Sequence, residues 1–122
     1  MKKIVLIAGI LAVLTILLQS CSKTKVERAT INVALKQNQS YRYDLGGFGD
    51  EEGAGISKQA SHYLVSKTFY DTTGLANIFY TYTPAFNYVG IDEVELKSSK
   101  GSNGSGYNPR VTYTTLKFTI SN

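Results

Sequence analysis

From Thr30 onward, apolar and polar residues alternate with a period of two. Ile31, Val33 and Leu35 interleave with Asn32, Ala34 and Lys36; Tyr41, Tyr43 and Leu45 with Arg42 and Asp44; Ile78, Tyr80 and Tyr82 with Asn77, Phe79 and Thr81. Val94 and Leu96 alternate with Glu93, Glu95 and Lys97, and Leu116, Phe118 and Ile120 with Thr115, Lys117 and Thr119. A strand sends successive side chains to opposite faces, so each segment can bury one face and wet the other. Val, Ile, Thr, Tyr and Phe dominate these runs, and they suit a pleated, half-buried surface. Turn residues separate the runs at 37–39, 46–47, 53–55, 73–74, Pro84, Gly90 and 101–109. The pattern predicts strands near residues 30–36, 40–45, 56–60, 62–70, 76–83, 91–98 and 110–120. In the last of these, Val111 and Tyr113 have one parity and Leu116, Phe118 and Ile120 the other, which predicts a bulge near Thr114 and Thr115. About seven short strands with half-polar faces imply an all-β, antiparallel sandwich. Its expected core is Ile31, Val33, Leu35, Tyr41, Tyr43, Ile78, Tyr80, Tyr82, Val94, Leu96, Phe118 and Ile120.

The first twenty residues break this pattern. Lys2 and Lys3 precede an uncharged apolar run from Ile4 to Leu18, shorter than the ~20 residues a spanning helix needs. The run ends in Leu18-Gln19-Ser20-Cys21, which resembles the bacterial lipobox, with Gln19 where a small residue is usual. The resemblance implies cleavage before Cys21 and a lipid on that cysteine. Cys21 is the only cysteine, so no disulfide can pin the two sheets. The expected organisation is a lipoprotein signal peptide at 1–20, the lipidated Cys21 with a polar tether at 21–29, and a sandwich domain at 30–122. The expected location is a lipid-anchored membrane of the bacterial cell envelope, more in keeping with the outer membrane. The tether lacks an acidic tract, which favours its periplasmic face.

Charge changes the picture by its position. The chain carries a formal +4, but Lys2 and Lys3 sit in the signal, and Lys23, Lys25 and Arg28 face only Glu27 in the tether. Residues 30–122 hold eight basic and eight acidic side chains, so the domain has no basic surplus for phosphates, and nucleic acid is not an expected partner.

Tyr80-Thr81-Tyr82-Thr83-Pro84 followed by Asn87-Tyr88-Val89-Gly90-Ile91-Asp92-Glu93-Val94 resembles a motif of bacterial Ig-like and cadherin-like surface domains. The resemblance implies an Ig-like sandwich with a binding or structural role. In it Pro84 ends a strand, Tyr88 plugs the sandwich end, Gly90 permits a turn, and Asp92 accepts backbone N–H groups in a corner.

Candidate chemistry is sparse. His62 is the sole histidine, and no Gly-x-Ser-x-Gly elbow supplies a nucleophile for a triad. One histidine and one cysteine cannot make a zinc site of four such ligands. The acid clusters Asp50-Glu51-Glu52 and Asp92-Glu93-Glu95 could in principle serve a small hydrolase, although Glu93 and Glu95 share a solvated strand face. Asp50, Glu51 and Glu52 on a Gly-rich loop are weak calcium candidates, with no EF-hand spacing. No cofactor motif is present. Phe69, Tyr70, Phe79, Phe86 and Tyr107 are the aromatics that the core pattern leaves over. Tyr107 and Asn108, in the Gly- and Ser-rich stretch 101–109, are candidate ligand contacts. The sequence therefore points to a non-enzymatic, membrane-anchored binding protein with a protein or glycan partner. A carbohydrate-binding accessory domain is the alternative.

Overall fold

In the computed structural model, residues 24–50, 52–73, 76–101 and 109–122 are described. Seven strands run in chain order: β1 (Lys25–Lys36), β2 (Tyr41–Gly47), β3 (Gly53–Lys58), β4 (Tyr63–Asp71), β5 (Asn77–Pro84), β6 (Gly90–Lys100) and β7 (Arg110–Ser121). They form a four-stranded sheet, β1-β7-β6-β3, and a three-stranded sheet, β2-β5-β4. The fold is an Ig-like β-sandwich. Every pairing is antiparallel except β1 with β7, which run parallel from Lys25 beside Arg110 to Lys36 beside Ser121.

The period-two pattern becomes burial directly. In β5 Ile78, Tyr80, Tyr82 and Pro84 point inward while Asn77, Phe79, Thr81 and Thr83 point out. Of the expected core, Leu35, Ile78, Tyr80, Tyr82, Val94, Leu96, Phe118 and Ile120 are buried. Ile31, Val33, Tyr41 and Tyr43 pack against them from partly exposed positions. Leu116 and Ala60 join the core as well. Tyr82 stacks flat on Phe118 at 4.0 Å between centroids, and Tyr41 meets the same ring edge-on at 5.8 Å. These contacts cross from one sheet to the other and serve where a disulfide would otherwise bridge them.

Three sequence expectations are corrected, the first being the turn at 53–55, which is strand from Gly53 onward. β1 begins at Lys25, so five residues of the expected tether are strand, paired to β7 as far as Lys25 beside Arg110. No bulge interrupts β7, whose register with β6 and with β1 is continuous through Thr114 and Thr115. Val111 and Tyr113 face outward, and Thr112 and Thr114 occupy the inward positions between the loops and Leu116. Apolar side chains on both faces of the strand mimic a shift of parity.

Candidate binding surface

Every strand runs antiparallel to the next in chain order, so successive connections alternate between the two ends of the sandwich. One end holds the starts of β1, β3, β5 and β7 and the ends of β2, β4 and β6. The far end holds the connections at 37–40, 59–62 and 85–89, with the C-terminus. The twelve residues of β1 span the length between them, about 40 Å at ~3.3 Å per residue.

The far end is built around a buried carboxylate. Asp92, 4% exposed, lies on β6 and accepts hydrogen bonds from the main-chain N–H groups of Ser61 and His62, both at 2.9 Å. Its Oδ2 also lies 2.9 Å from the Tyr82 hydroxyl, which stands 3.0 Å from the carbonyl oxygen of His62. Burial, and then this bond to a carboxylate, push the Tyr82 phenol well above its ordinary value. A second link runs through Ser66, whose hydroxyl lies 2.7 Å from the hydroxyl of Tyr80 and donates to the side-chain oxygen of Gln59. Burial pushes the Tyr80 phenol up to about 12.

The turn from β5 to β6 completes this end. Tyr88 donates its N–H to Ala85 and its hydroxyl to the carbonyl of Ile91 at 2.7 Å. Gly90 has φ +145°, and a Cβ there would meet the Tyr88 hydroxyl at 3.0 Å, so glycine is required by backbone and space together. The His62 ring stacks on Tyr88 at 4.1 Å, with Nδ1 3.9 Å from Asp92 Oδ1. Asp92 spends its oxygens on main-chain N–H groups and Tyr82, and Ser61 enters only through its own N–H. The arrangement clamps two connections to a core tyrosine.

The other sequence candidates are scattered. Glu52 accepts the N–H groups of Gly49 and Gly101, both at 2.8 Å, and these bonds hold its carboxyl below the usual range. Both carboxylate oxygens thus serve the loop itself. Among the described residues no group of three or more His, Cys, Asp or Glu could hold a metal ion. Cys21, Glu51, Tyr107 and Asn108 lie outside the described residues. Asp50 lies just after β2, at the end where β1 starts.

Of the leftover aromatics, Phe69 and Phe79 form a stacked pair at 5.7 Å on the outer face of the three-stranded sheet. The Arg42 guanidinium covers them, 3.7 Å from the Phe79 ring and 3.4 Å from Asp71. Exposed large apolar side chains gather elsewhere. Tyr63, Leu64, Phe86, Val89 and Ile91 belong to the far end, against Val26 and Tyr70 at the near one. Phe86 is 75% exposed. The sequence singled out Phe86 as left over from the core but not Val89 or Ile91, because nothing local shows that residues on either side of Gly90 share an exposed end with Tyr63 and Leu64.

No family model matches the chain, and no curated protein matches it in sequence. Among solved structures it is similar to EhICP2, a cysteine protease inhibitor from Entamoeba histolytica, with a TM-score of 0.53 and 12% identity over 80% of this chain and 97% of that one. It also matches Amebosin, with a TM-score of 0.45 and 13% identity over 78% of this chain and 98% of that one. At this identity the likeness to EhICP2 is one of fold.

Proposed function

We propose that the protein is a non-enzymatic binding module of the bacterial cell envelope, held to a membrane by lipid on Cys21. The domain stands with its far end away from the bilayer. One observation carries this reading: the strand nearest Cys21 starts at one end of the sandwich, and the exposed apolar residues gather at the other. With β1 starting at Lys25, only three residues separate Cys21 from the fold. Four peptide units reach at most about 14 Å, so the near end sits close to the headgroups. Phe86, Val89, Ile91, Leu64 and Tyr63 are then presented to a partner about 40 Å away. Multiple acyl chains on one cysteine supply stable anchoring without a spanning helix.

The described ionisable groups support binding rather than chemistry, because Asp92 and Glu52 are committed to main-chain N–H groups. EhICP2 is by its description an inhibitor of cysteine proteases. Its likeness supports a binding use of the sandwich, and a protease is one partner the experiment below would reveal.

The test is a pulldown from native envelope with three baits: the full lipoprotein, Cys21→Ser, and a Phe86→Ser/Val89→Ser double variant. One protein enriched by the first two and lost with the third is the expected result. Equal capture by all three, or capture by none, overturns the far end as the binding surface. Radiolabelled palmitate entering the parent chain but not Cys21→Ser checks the anchor separately.

A further inference from the structure

A second surface lies along the edge of the four-stranded sheet. Among the described residues β3 ends that sheet, paired to β6 on one side and with no strand on the other. Its sequence, Gly53-Ala54-Gly55-Ile56-Ser57-Lys58, holds two glycines that face outward beside Ser99 and Lys97. Glycine in a strand weakens it by roughly 0.5–1 kcal/mol relative to alanine, and it marks a bulge, a bend or a close approach. The register of β3 does shift between Ile56 and Lys58, but none of these reasons applies at the glycines themselves. Neither glycine has a positive φ, the register is regular from Gly53 to Ile56, and a Cβ at either position would meet nothing within 4 Å. The missing side chains instead open a shallow depression of about 300 Å³ beside the free edge, lined by Ala54, Ile56, Ser57, Lys97 and Ser99 besides the glycines.

The charges on this face are sorted. Glu93 pairs with Lys117 at 3.7 Å, and Glu95 is held by Arg28 at 3.3 Å and the Ser57 hydroxyl at 2.7 Å. Among the described residues, Lys97 and Lys58 have no carboxylate within 4 Å. The carboxylates of Glu93 and Glu95 thus reach their cations on β7 and β1; Lys58 stands beside Glu95 in the register without an ion pair, and Lys97 is the cation beside the depression. Ile56 and Ala54 face the other way, toward the core.

We propose that β3 is a strand-addition site for an extended acidic peptide of a partner protein. The added strand pairs its backbone with the free edge. Its alternate acidic side chains lie over Gly53 and Gly55 toward Lys97 and Lys58, and its intervening apolar side chains turn toward Ile56. Main-chain bonds supply affinity in such complexes and alternate side chains supply specificity. A second copy of β3 fits less well, because pairing two copies brings Lys97 and Lys58 of both onto one face. This inference goes beyond the far-end reading and does not depend on the anchor.

The probe is fluorescein-labelled Ac-Thr-Glu-Val-Glu-Val-Thr-NH2, titrated by anisotropy against the full chain in detergent micelles. A lysine-for-glutamate counterpart and a fully N-methylated counterpart accompany it. The acidic peptide is expected to bind at least tenfold more tightly than either and to slow amide exchange within 53–58. Lys97→Glu inverts the preference for acid over lysine. Gly55→Val, whose side chain fills the depression, weakens binding at least tenfold without lowering Tm. Equal binding of the N-methylated peptide, unchanged binding to Gly55→Val, an unaltered preference in Lys97→Glu, or no binding at millimolar peptide each overturn the proposal. So does a concentration-dependent dimer that Gly55→Val abolishes. In the pulldown, a partner lost with Phe86→Ser/Val89→Ser but retained by Gly55→Val leaves the far-end reading intact and removes this one.

Discussion

The Asp92 carboxylate on β6 and the Tyr82 hydroxyl on β5 meet at 2.9 Å inside the sandwich, joining the two sheets at the end where the chain crosses from β3 to β4. The same carboxylate holds the N–H groups of Ser61 and His62. Removing it leaves those two N–H groups without their acceptor and the tyrosine with only the carbonyl oxygen of His62.

Asp92→Ala is therefore expected to cost about 3 kcal/mol and Tyr82→Phe about 1–2 kcal/mol, since a buried group robbed of a charged partner loses most. The two changes should couple by about 1 kcal/mol in a double-mutant cycle. Urea midpoints of the four proteins measure this, and strict additivity would show that the pair does not act as a unit.

Alkaline pH should unfold the domain through its core tyrosines. Burial raises the Tyr80 phenol to about 12 and Tyr82 in the same direction. A phenol whose folded pKa exceeds its unfolded value of 10.0 contributes stability that is complete below pH 10 and lost as pH climbs through the folded value. Each contributes a loss of up to about 1.4 kcal/mol per pH unit in that window. Tyrosinate absorbance should rise in two phases, exposed rings near pH 10 and the remainder together with loss of the β-sheet circular dichroism.

Glycines should separate by position. Gly90→Ala places a Cβ 3.0 Å from the Tyr88 hydroxyl at φ +145°, and should cost about 2 kcal/mol or more. Gly53→Ala and Gly55→Ala meet nothing within 4 Å and should be neutral or stabilising by up to about 1 kcal/mol. Thermal melts decide this, and a destabilised Gly55→Ala would reveal an internal role for that glycine.

Arg42→Ala should lose about 1 kcal/mol by uncovering the Phe69 and Phe79 rings, over which its guanidinium now sits. A dye that fluoresces on apolar surfaces should bind the variant more strongly than the parent.

Local alternation made the strands legible, and with them Ile78, Tyr80, Tyr82, Val94, Leu96, Phe118 and Ile120 as core, because a period of two commits each side chain to one face. It misread β7, where Val111 and Tyr113 are apolar on the outward face of a strand whose register never shifts. It also took Gly53 to Gly55 for a turn, since two glycines lower strand propensity wherever they fall.

The sequence by itself determined the all-β class, the alternating faces and the neutral charge of residues 30–122, all of which depend on neighbours along the chain. Only the tertiary structure decided which strands lie at the edges, that β1 runs parallel to β7, and that Glu52 ties its own loop to Gly101. It alone decided which strand ends lie together, and so that most of the exposed large apolar side chains gather opposite the start of β1. Pairing across the sheet joins residues far apart in sequence, and no local pattern encodes which strand is left without a neighbour.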